Sequence, residues 1–571
     1  MRRLVSVLLL VVALTCLLVG AATAALFGPD DRAHTGSLPV RGAASVAVVE
    51  PALLPLAGLE VRLTAQQADS RPLFIGAGNV VDVASYTDQV ARTRVDEISL
   101  RRSLRQPLRL GSDPVAGAET LPAPPDGLDW WLASEVGEGE VALPVELPTA
   151  RVGIVVAALD DEPLADLEVG ASYRFPGAFG TGLGLVGVAL GLALFSWLAR
   201  PPRRPKAPPA PPPPPAAQPP SPPTASQQEP QQEASVWSRP TADRSAPRQP
   251  RVRLVGVGLA CCLATAGCEL PQRVDAQPSK VAASEAEGAE VVERWAVQRA
   301  EALRLLDAQP LGAVEQPPTL RIDQGAFEVA RRLLDDETAE VSQDLRLTRT
   351  RSPRLSSYPL WFVAVVEDVT GDVAKLQVHR RKSAVSDWQL VAQADVLAST
   401  TMPALAVDSA GAIRPVQPDD AAGLPAAPQD VAAAYVDLLD NPEAGGSDLV
   451  ALDSFNQQMR SVVPTQSAVD GVRLEQSWSA RPVEWAVRTD DGGALMFATL
   501  ERTDGYRLKD PKSIRWPAES EQRAFLDDAT DKTPTLEYLH QVLVYVPPTG
   551  AGQARAIGQY GGVVEGPAGD R

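Results

Sequence analysis

Three apolar runs, each bordered by arginines, constrain this chain more than any other feature of its 571 residues. The first starts at Arg2-Arg3, runs from Leu4 to Gly20 and leads into Ala22-Thr23-Ala24. A basic start, an apolar stretch and an A-x-A pattern are the parts of a secretory signal cut after Ala24, or of an uncut anchor over residues 1–26. Either way, the chain that follows is exported. The second run, 179–199, is long enough to cross a hydrocarbon layer of roughly 30 Å. Arg200, Arg203, Arg204 and Lys206 follow it at once. Cations are retained on the cytoplasmic side, so this transmembrane helix runs from outside to inside. Its Gly180, Gly184, Gly187 and Gly191 share a narrow sector with small-xxx-small spacing, the expected contact face for another helix.

The third run, 254–268, follows Arg248, Arg251 and Arg253 and, at roughly 1.5 Å per residue, is too short to span comfortably. It ends in Thr265-Ala266-Gly267-Cys268. These residues resemble the lipobox of bacterial lipoproteins, in which small residues precede an obligatory cysteine. The resemblance implies a diacylglycerol on the Cys268 thiol and a cut between Gly267 and Cys268. Thr265 stands where that family usually has leucine, and the alternative is a short third membrane helix. Cys16 follows a threonine rather than Gly, Ala or Ser, and is not read as lipidated. All the basic clusters then fall on one side of the membrane, with both long segments outside it.

Residues 200–253 hold Pro211 to Pro215 and further Pro, Gln and Ser, a composition that cannot bury enough apolar surface to fold. They read as a disordered cytoplasmic spacer, partly polyproline II; docking of its Pro-rich runs on a partner's aromatic groove is the second choice. A lipoprotein-like signal after such a linker suggests that a membrane protein and a lipoprotein were joined in one reading frame.

The net charge of −18 argues against nucleic acid as a partner, because phosphate binding needs clustered cations. Cys16, Cys261, Cys262 and Cys268 all lie in or beside the apolar runs, which leaves no disulfide framework or cysteine zinc site in the exported segments. His34, His379 and His540 are scattered, and no metal or cofactor is expected.

In the exported segment 27–178, β-favouring runs recur at Val46 to Val49, Leu59 to Thr64, Leu73 to Gly76, Val141 to Val145, Val152 to Ala157 and Leu167 to Tyr173. Turn residues separate them, as in a small β-sandwich. One helix interrupts, with Asn79 as its cap and Asp82 three residues later. Trp130 and Trp131 are expected in the core. Tyr86 and the tryptophan pair lining a ligand groove is the lesser alternative. Phe74-Ile75-Gly76, Asp82 to Val90, Asp129-Trp130-Trp131 and Gly153 to Ala158 resemble an uncharacterised family of actinobacterial membrane proteins with a β-rich ectodomain. The resemblance covers residues 45–200 and implies no known activity. Ala157-Ala158-Leu159-Asp160 departs from that family's Asn-Ala-Asp-Gly.

After a tether at 269–285, helices and then antiparallel strands occur twice, over 286–420 and 421–560. The expected fold is α+β, two helix-plus-antiparallel-sheet units in an order similar to NTF2-like or cystatin-like modules. Tyr358 to Phe362 and Pro428 to Leu439 resemble a domain of unknown function found in actinobacterial lipoproteins, over about residues 275–571. The glycine-rich end, 561–571, reads as a disordered tail.

No nucleophile elbow, P-loop, dinucleotide fingerprint or H-E-x-x-H motif occurs. Glu367 and Asp368 are neighbours on a strand and point to opposite faces. His540 lies on an alternating strand, where it is either a base in a pocket or, with greater weight, a sheet histidine. Arg346, Arg349, Arg351, Arg354 and the run His379 to Lys382 form a candidate basic patch for anionic lipid or wall polymer, with ordinary surface charge favoured. The sequence therefore reads as a membrane-anchored, multidomain envelope protein that binds another envelope protein or a wall component without catalysis. The alternative is a small-molecule carrier or enzyme with a cavity in the α+β units.

Overall fold

The computed structural model describes residues 2–198 and 272–567, apart from 43, 54–55, 101–107, 161, 165, 274–276, 334–344, 369–372, 398–399, 442, 444, 518–519 and 527–531. The Pro-rich stretch and the third apolar run, with Gly267 and Cys268, lie outside the described residues. The chain divides into two compact units, residues 1–32 with 175–271 and residues 33–174 with 272–571.

The first unit is built on α1 (Arg2–Phe27) and, after the short α2 (Val80–Thr87) of the other unit, α3 (Ala178–Leu198). Both α1 and α3 are long and apolar enough to cross a membrane. They pack antiparallel. Ser6 Oγ meets Ser196 Oγ at 2.8 Å, and a Cβ on Gly182 would lie 2.8 Å from the Ala24 nitrogen and 2.9 Å from the Gly20 carbonyl. The glycines with small-xxx-small spacing lie away from α1: nothing lies within 4 Å of a Cβ built on Gly180, Gly184, Gly187 or Gly191. At roughly 100° per residue these four lie about 140–200° around the helix from Gly182. Buried Ala189 and Ser196 share the side of Gly182. Helix α1 continues through Ala22-Thr23-Ala24 without a break. The start of α3 is capped by Asp31, whose carboxylate accepts from the Gly177 and Phe179 amides at 2.8 Å each.

In the second unit the N-terminal module is β-rich. One sheet holds β2 (Glu60–Gln66), β7 (Glu140–Glu146) and β9 (Glu168–Arg174). The other has the order β5-β4-β1-β8-β3-β6, from β1 (Val46–Val49), β3 (Pro72–Asn79), β4 (Arg92–Leu100), β5 (Leu108–Val115), β6 (Trp131–Glu138) and β8 (Val152–Ala158). Leu63 and Val169 of one sheet face Ile75, Ile154 and Val156 of the other across an apolar layer. All seven residues of β8 are buried, because Val155 and Ala157, on its other face, pack with Phe74, Val83, Tyr86 and Trp130. Asn79 caps α2 as expected, accepting from the Val81 amide at 2.9 Å.

The C-terminal region is α+β. Its sheet runs β10-β11-β12-β13-β18-β17-β16-β14, with β15 on β16. The strands are β10 (Leu345–Arg351), β11 (Leu360–Asp368), β12 (Val373–Arg381), β13 (Trp388–Leu397), β14 (Val472–Ala480), β15 (Trp485–Arg488), β16 (Ala494–Leu508), β17 (Thr535–Val546) and β18 (Arg555–Glu565). Strict alternation divides the strands. Leu360, Phe362, Ala364 and Val366 face α4 (Glu285–Leu305), whereas Trp361 and Val363 join Leu495, Phe497, Leu543 and Tyr545 in one layer shared by both halves. Two more helices follow, α5 (Thr319–Leu333) mainly against β18 with β13 and β17 beside it, and α6 (Pro428–Asp440) against β14 and β16; α7 (Ser454–Arg460), α8 (Val462–Ser467) and α9 (Glu521–Leu526) are shorter.

The tail expected at 561–571 is corrected in part, because β18 continues through Gly561 to Glu565. Its glycines serve close approach: a Cβ on Gly561 would meet the Leu539 carbonyl at 2.4 Å, and one on Gly558 would meet the Asp395 carbonyl at 2.9 Å.

Candidate functional site

The sequence-selected residues do not converge. Glu367 faces Arg346 across β10 and β11 in a 3.4 Å ion pair, an ordinary cross-strand contact. The basic patch is largely consumed within the chain. Arg351 pairs with Glu285 at 3.1 Å, Arg380 with Glu484 at 3.4 Å and Arg381 with Asp129 at 2.8 Å. His379 is buried, stacked on Phe362 at 5.0 Å, and its Nε2 pairs with Gln377 Oε1 at 3.1 Å. Burial pushes its pKa down to about 3. Tyr86, Trp130 and Trp131 form a core cluster, with the two indoles 4.0 Å apart. Gly76 and Gly78 make room for them, since a Cβ would come within 2.8 Å of Trp131 at Gly76 and 2.6 Å of Trp130 at Gly78.

Two buried polar clusters with no local signature in the sequence lie beneath the helices of the C-terminal region. In the first, Trp295 of α4 donates to Glu315 at 2.8 Å, Arg299 approaches Asp323 at 3.4 Å, and Tyr560 of β18 donates to Asp323 at 2.5 Å. Burial, and then the charge of Asp323, hold the Glu315 carboxyl well above the usual range. Glu315 Oε2 and Asp323 Oδ2 are buried without hydrogen-bond partners. A proton retained on Glu315 supplies the donor these two oxygens lack.

In the second cluster the Arg502 guanidinium lies 3.5 Å from the centre of the Tyr538 ring and 3.3 Å from Asp504. Burial raises both Asp504 and Glu521 against the attraction of Arg502. His540 borders this group, between Trp478 and Phe455. Burial first, and Arg502 second, push its pKa down to about 3. Perturbed groups of this kind do catalysis when they open on a substrate space. The apolar spaces between the two halves of the sheet, about 10 Å³, and between the N-terminal sheets, about 60 Å³, are lined by none of these groups. Ligand pockets are roughly 300–1,000 Å³.

A space of that size occurs elsewhere in the same unit. A cleft of about 730 Å³ is walled on one side by α2 and residues 118–122 and on the other by Ser356, Ser357, Tyr358 and the β12–β13 turn. Its lining sets polar side chains, Ser85, Asp88, Gln89, Thr120, Lys382 and Ser383, among apolar ones such as Val81, Val90, Leu121 and Val385. Beneath it Asp82, 1% exposed, accepts from Lys280 at 2.8 and 2.9 Å and from Tyr358 at 2.7 Å. The Asp82 carboxylate, expected to close a capping box, is therefore directed to partners 198 and 276 residues away.

Comparison with known proteins gives one family and little else. No curated protein matches the chain. A solved structure from a study of dehydratase substrate selection in the borrelidin and fluvirucin polyketide synthases aligns at 13% identity, over 38% of this chain and 70% of that one. Its TM-score is 0.09. Residues 279–567, just over half of the chain and the whole of the α+β region, match the model of a domain of unknown function, DUF8094. The chain belongs to the DUF8094 family.

Proposed function

We propose that this is a non-catalytic cell-envelope protein that holds both folded segments outside the membrane and binds a partner protein or wall component in the cleft beside α2. The carrying observation is the size and make-up of that cleft, about 730 Å³ with serines, Asp88, Gln89 and Lys382 set among apolar side chains, a volume within the roughly 300–1,000 Å³ of binding pockets. The α1–α3 pairing supports an uncut N-terminal anchor, because Gly20 and Ala24 are part of the contact. Arginines on one side of all three apolar runs support a cytoplasmic Pro-rich spacer. Gly180, Gly184, Gly187 and Gly191, which face open space, remain available to a further membrane helix. Cys268 carries the lipid on this reading, and no cofactor or nucleic acid takes part. A small-molecule carrier or enzyme is the weaker reading.

Mass spectrometry of the membrane fraction tests the anchoring. A diacylglyceryl adduct on a fragment beginning at Cys268, lost in Cys268→Ala, is the expected result. Only unmodified full-length chain in both samples refutes lipidation. For the cleft, Gln89→Trp should abolish capture of the envelope partner while leaving the unfolding transition in place; unchanged capture refutes the binding site.

A further inference from the structure

We infer that the N-terminal β-rich module and the DUF8094 module form a self-sufficient docked pair, so that a cut between them leaves a two-chain complex rather than two separate proteins. Each module inserts an apolar knob into the other. Ala384, fully buried at the β12–β13 turn, completes the cluster of Phe74, Val83, Tyr86 and Trp130. Val81 of α2 in turn packs with Ala283, Val292, Phe362 and Trp388.

The polar atoms at these contacts are matched. The Ala384 carbonyl accepts from Trp130 Nε1 at 3.0 Å, and the Ala384 amide donates to Ser85 Oγ at 3.1 Å. Arg381, itself held by the Ser386 carbonyl at 2.8 Å, reaches Asp129. The buried Asp82 carboxylate takes three hydrogen bonds from Lys280 and Tyr358. A contact held only by a tether would not bury a carboxylate at 1% exposure, because an unpaired buried charge is strongly unfavourable. Reciprocal knobs with fully paired polar groups are what a specific interface contains.

Docking also builds the cleft, since its two walls come from different modules. The partner each surface fits is therefore the other module, whether it arrives on the same chain or on a separate one. This inference stands independently of lipidation and of what the cleft binds.

The test is made on the full chain in opened membranes. A protease site inserted after Ala276 frees the C-terminal module from every apolar run. After cutting, that module should stay with the membranes. Ala384→Arg should raise the released fraction at least about tenfold. The substituted side chain lies in a turn, so the released module should keep its own cooperative unfolding transition. Asp82→Lys, which leaves the C-terminal sequence untouched, should release it equally, and Lys280→Asp in the same chain should restore retention. Release of the unsubstituted module on cutting overturns the inference. Retention of all variants also overturns it, because the module would then be held by something other than these contacts.

Discussion

Replacing His540 with phenylalanine should make the fold more tolerant of acid. The ring sits 5.5 Å from Trp478, 5.8 Å from Phe455 and 6.3 Å from Tyr538, and its Nε2 is buried without a hydrogen-bond partner. Its pKa falls from 6.5 to about 3 on folding. The unfolded chain therefore takes up a proton below about pH 6.5 that the folded chain refuses. The contribution of the neutral ring is complete above that value and is lost as the pH falls toward 3. At about pH 5, some 1.5 units below 6.5, the loss is about 2 kcal/mol at roughly 1.36 kcal/mol per unit. Phenylalanine keeps the ring contacts and has no proton to refuse. Urea unfolding of the detergent-solubilised chain, followed by tryptophan fluorescence, measures the difference. Asp504 and Glu521, raised by burial, respond to acid in both proteins, so the comparison isolates the histidine. The unsubstituted protein should lose about 2 kcal/mol relative to His540→Phe between about pH 8 and pH 5. Parallel pH profiles would refute the reasoning.

Three further outcomes follow from contacts. Gly325→Ala places a Cβ 1.7 Å from the Val563 carbonyl and should cost at least about 3 kcal/mol in thermal unfolding, whereas Gly312→Ala meets nothing within 4 Å and should change little. Asp453→Ala removes acceptors from the Asn456 amide, the Tyr435 hydroxyl and the Ala556 amide at 2.9, 2.6 and 2.8 Å, and should cost about 2–3 kcal/mol by the same measurement. Cysteines at Ser6 and Ser196, in a background with Cys16, Cys261, Cys262 and Cys268 replaced by alanine, should form a disulfide that blocks maleimide labelling. Gly182→Leu should prevent it and Gly187→Leu should not; a chain cut after Ala24 could not form it at all.

The strands with an uninterrupted apolar period were legible in the sequence. Val141, Leu143 and Val145 alternate and are buried in β7, and Val46 to Val49 is β1 as expected. Strands β4, β6 and β10 were not legible. Leu345–Arg351 carries three arginines, and Trp131–Glu138 is exposed along most of its length, so neither shows the apolar face that marks a strand. Strand β18 was hidden by glycines that resemble a tail but are required where backbones nearly touch. Gly182 stands outside the regular glycine stripe, and spacing reveals which residues share a face, not which face meets a given neighbour. The pairing of Asp82 with Lys280 and Tyr358 leaves no local trace. A carboxylate three residues into a helix has a sufficient local explanation, and only tertiary structure shows that it is used elsewhere.

Accessibility of single introduced cysteines in intact cells tests the proposed topology most directly. With a membrane-impermeant maleimide, and the unsubstituted chain as background, cysteines at exposed Asp113 in the N-terminal module and exposed Glu443 in the DUF8094 module should both label. A cysteine at Ser221 in the Pro-rich stretch should label only after permeabilisation. Protection of position 443, or labelling of position 221 in intact cells, would contradict the assignment of both modules to the outer side.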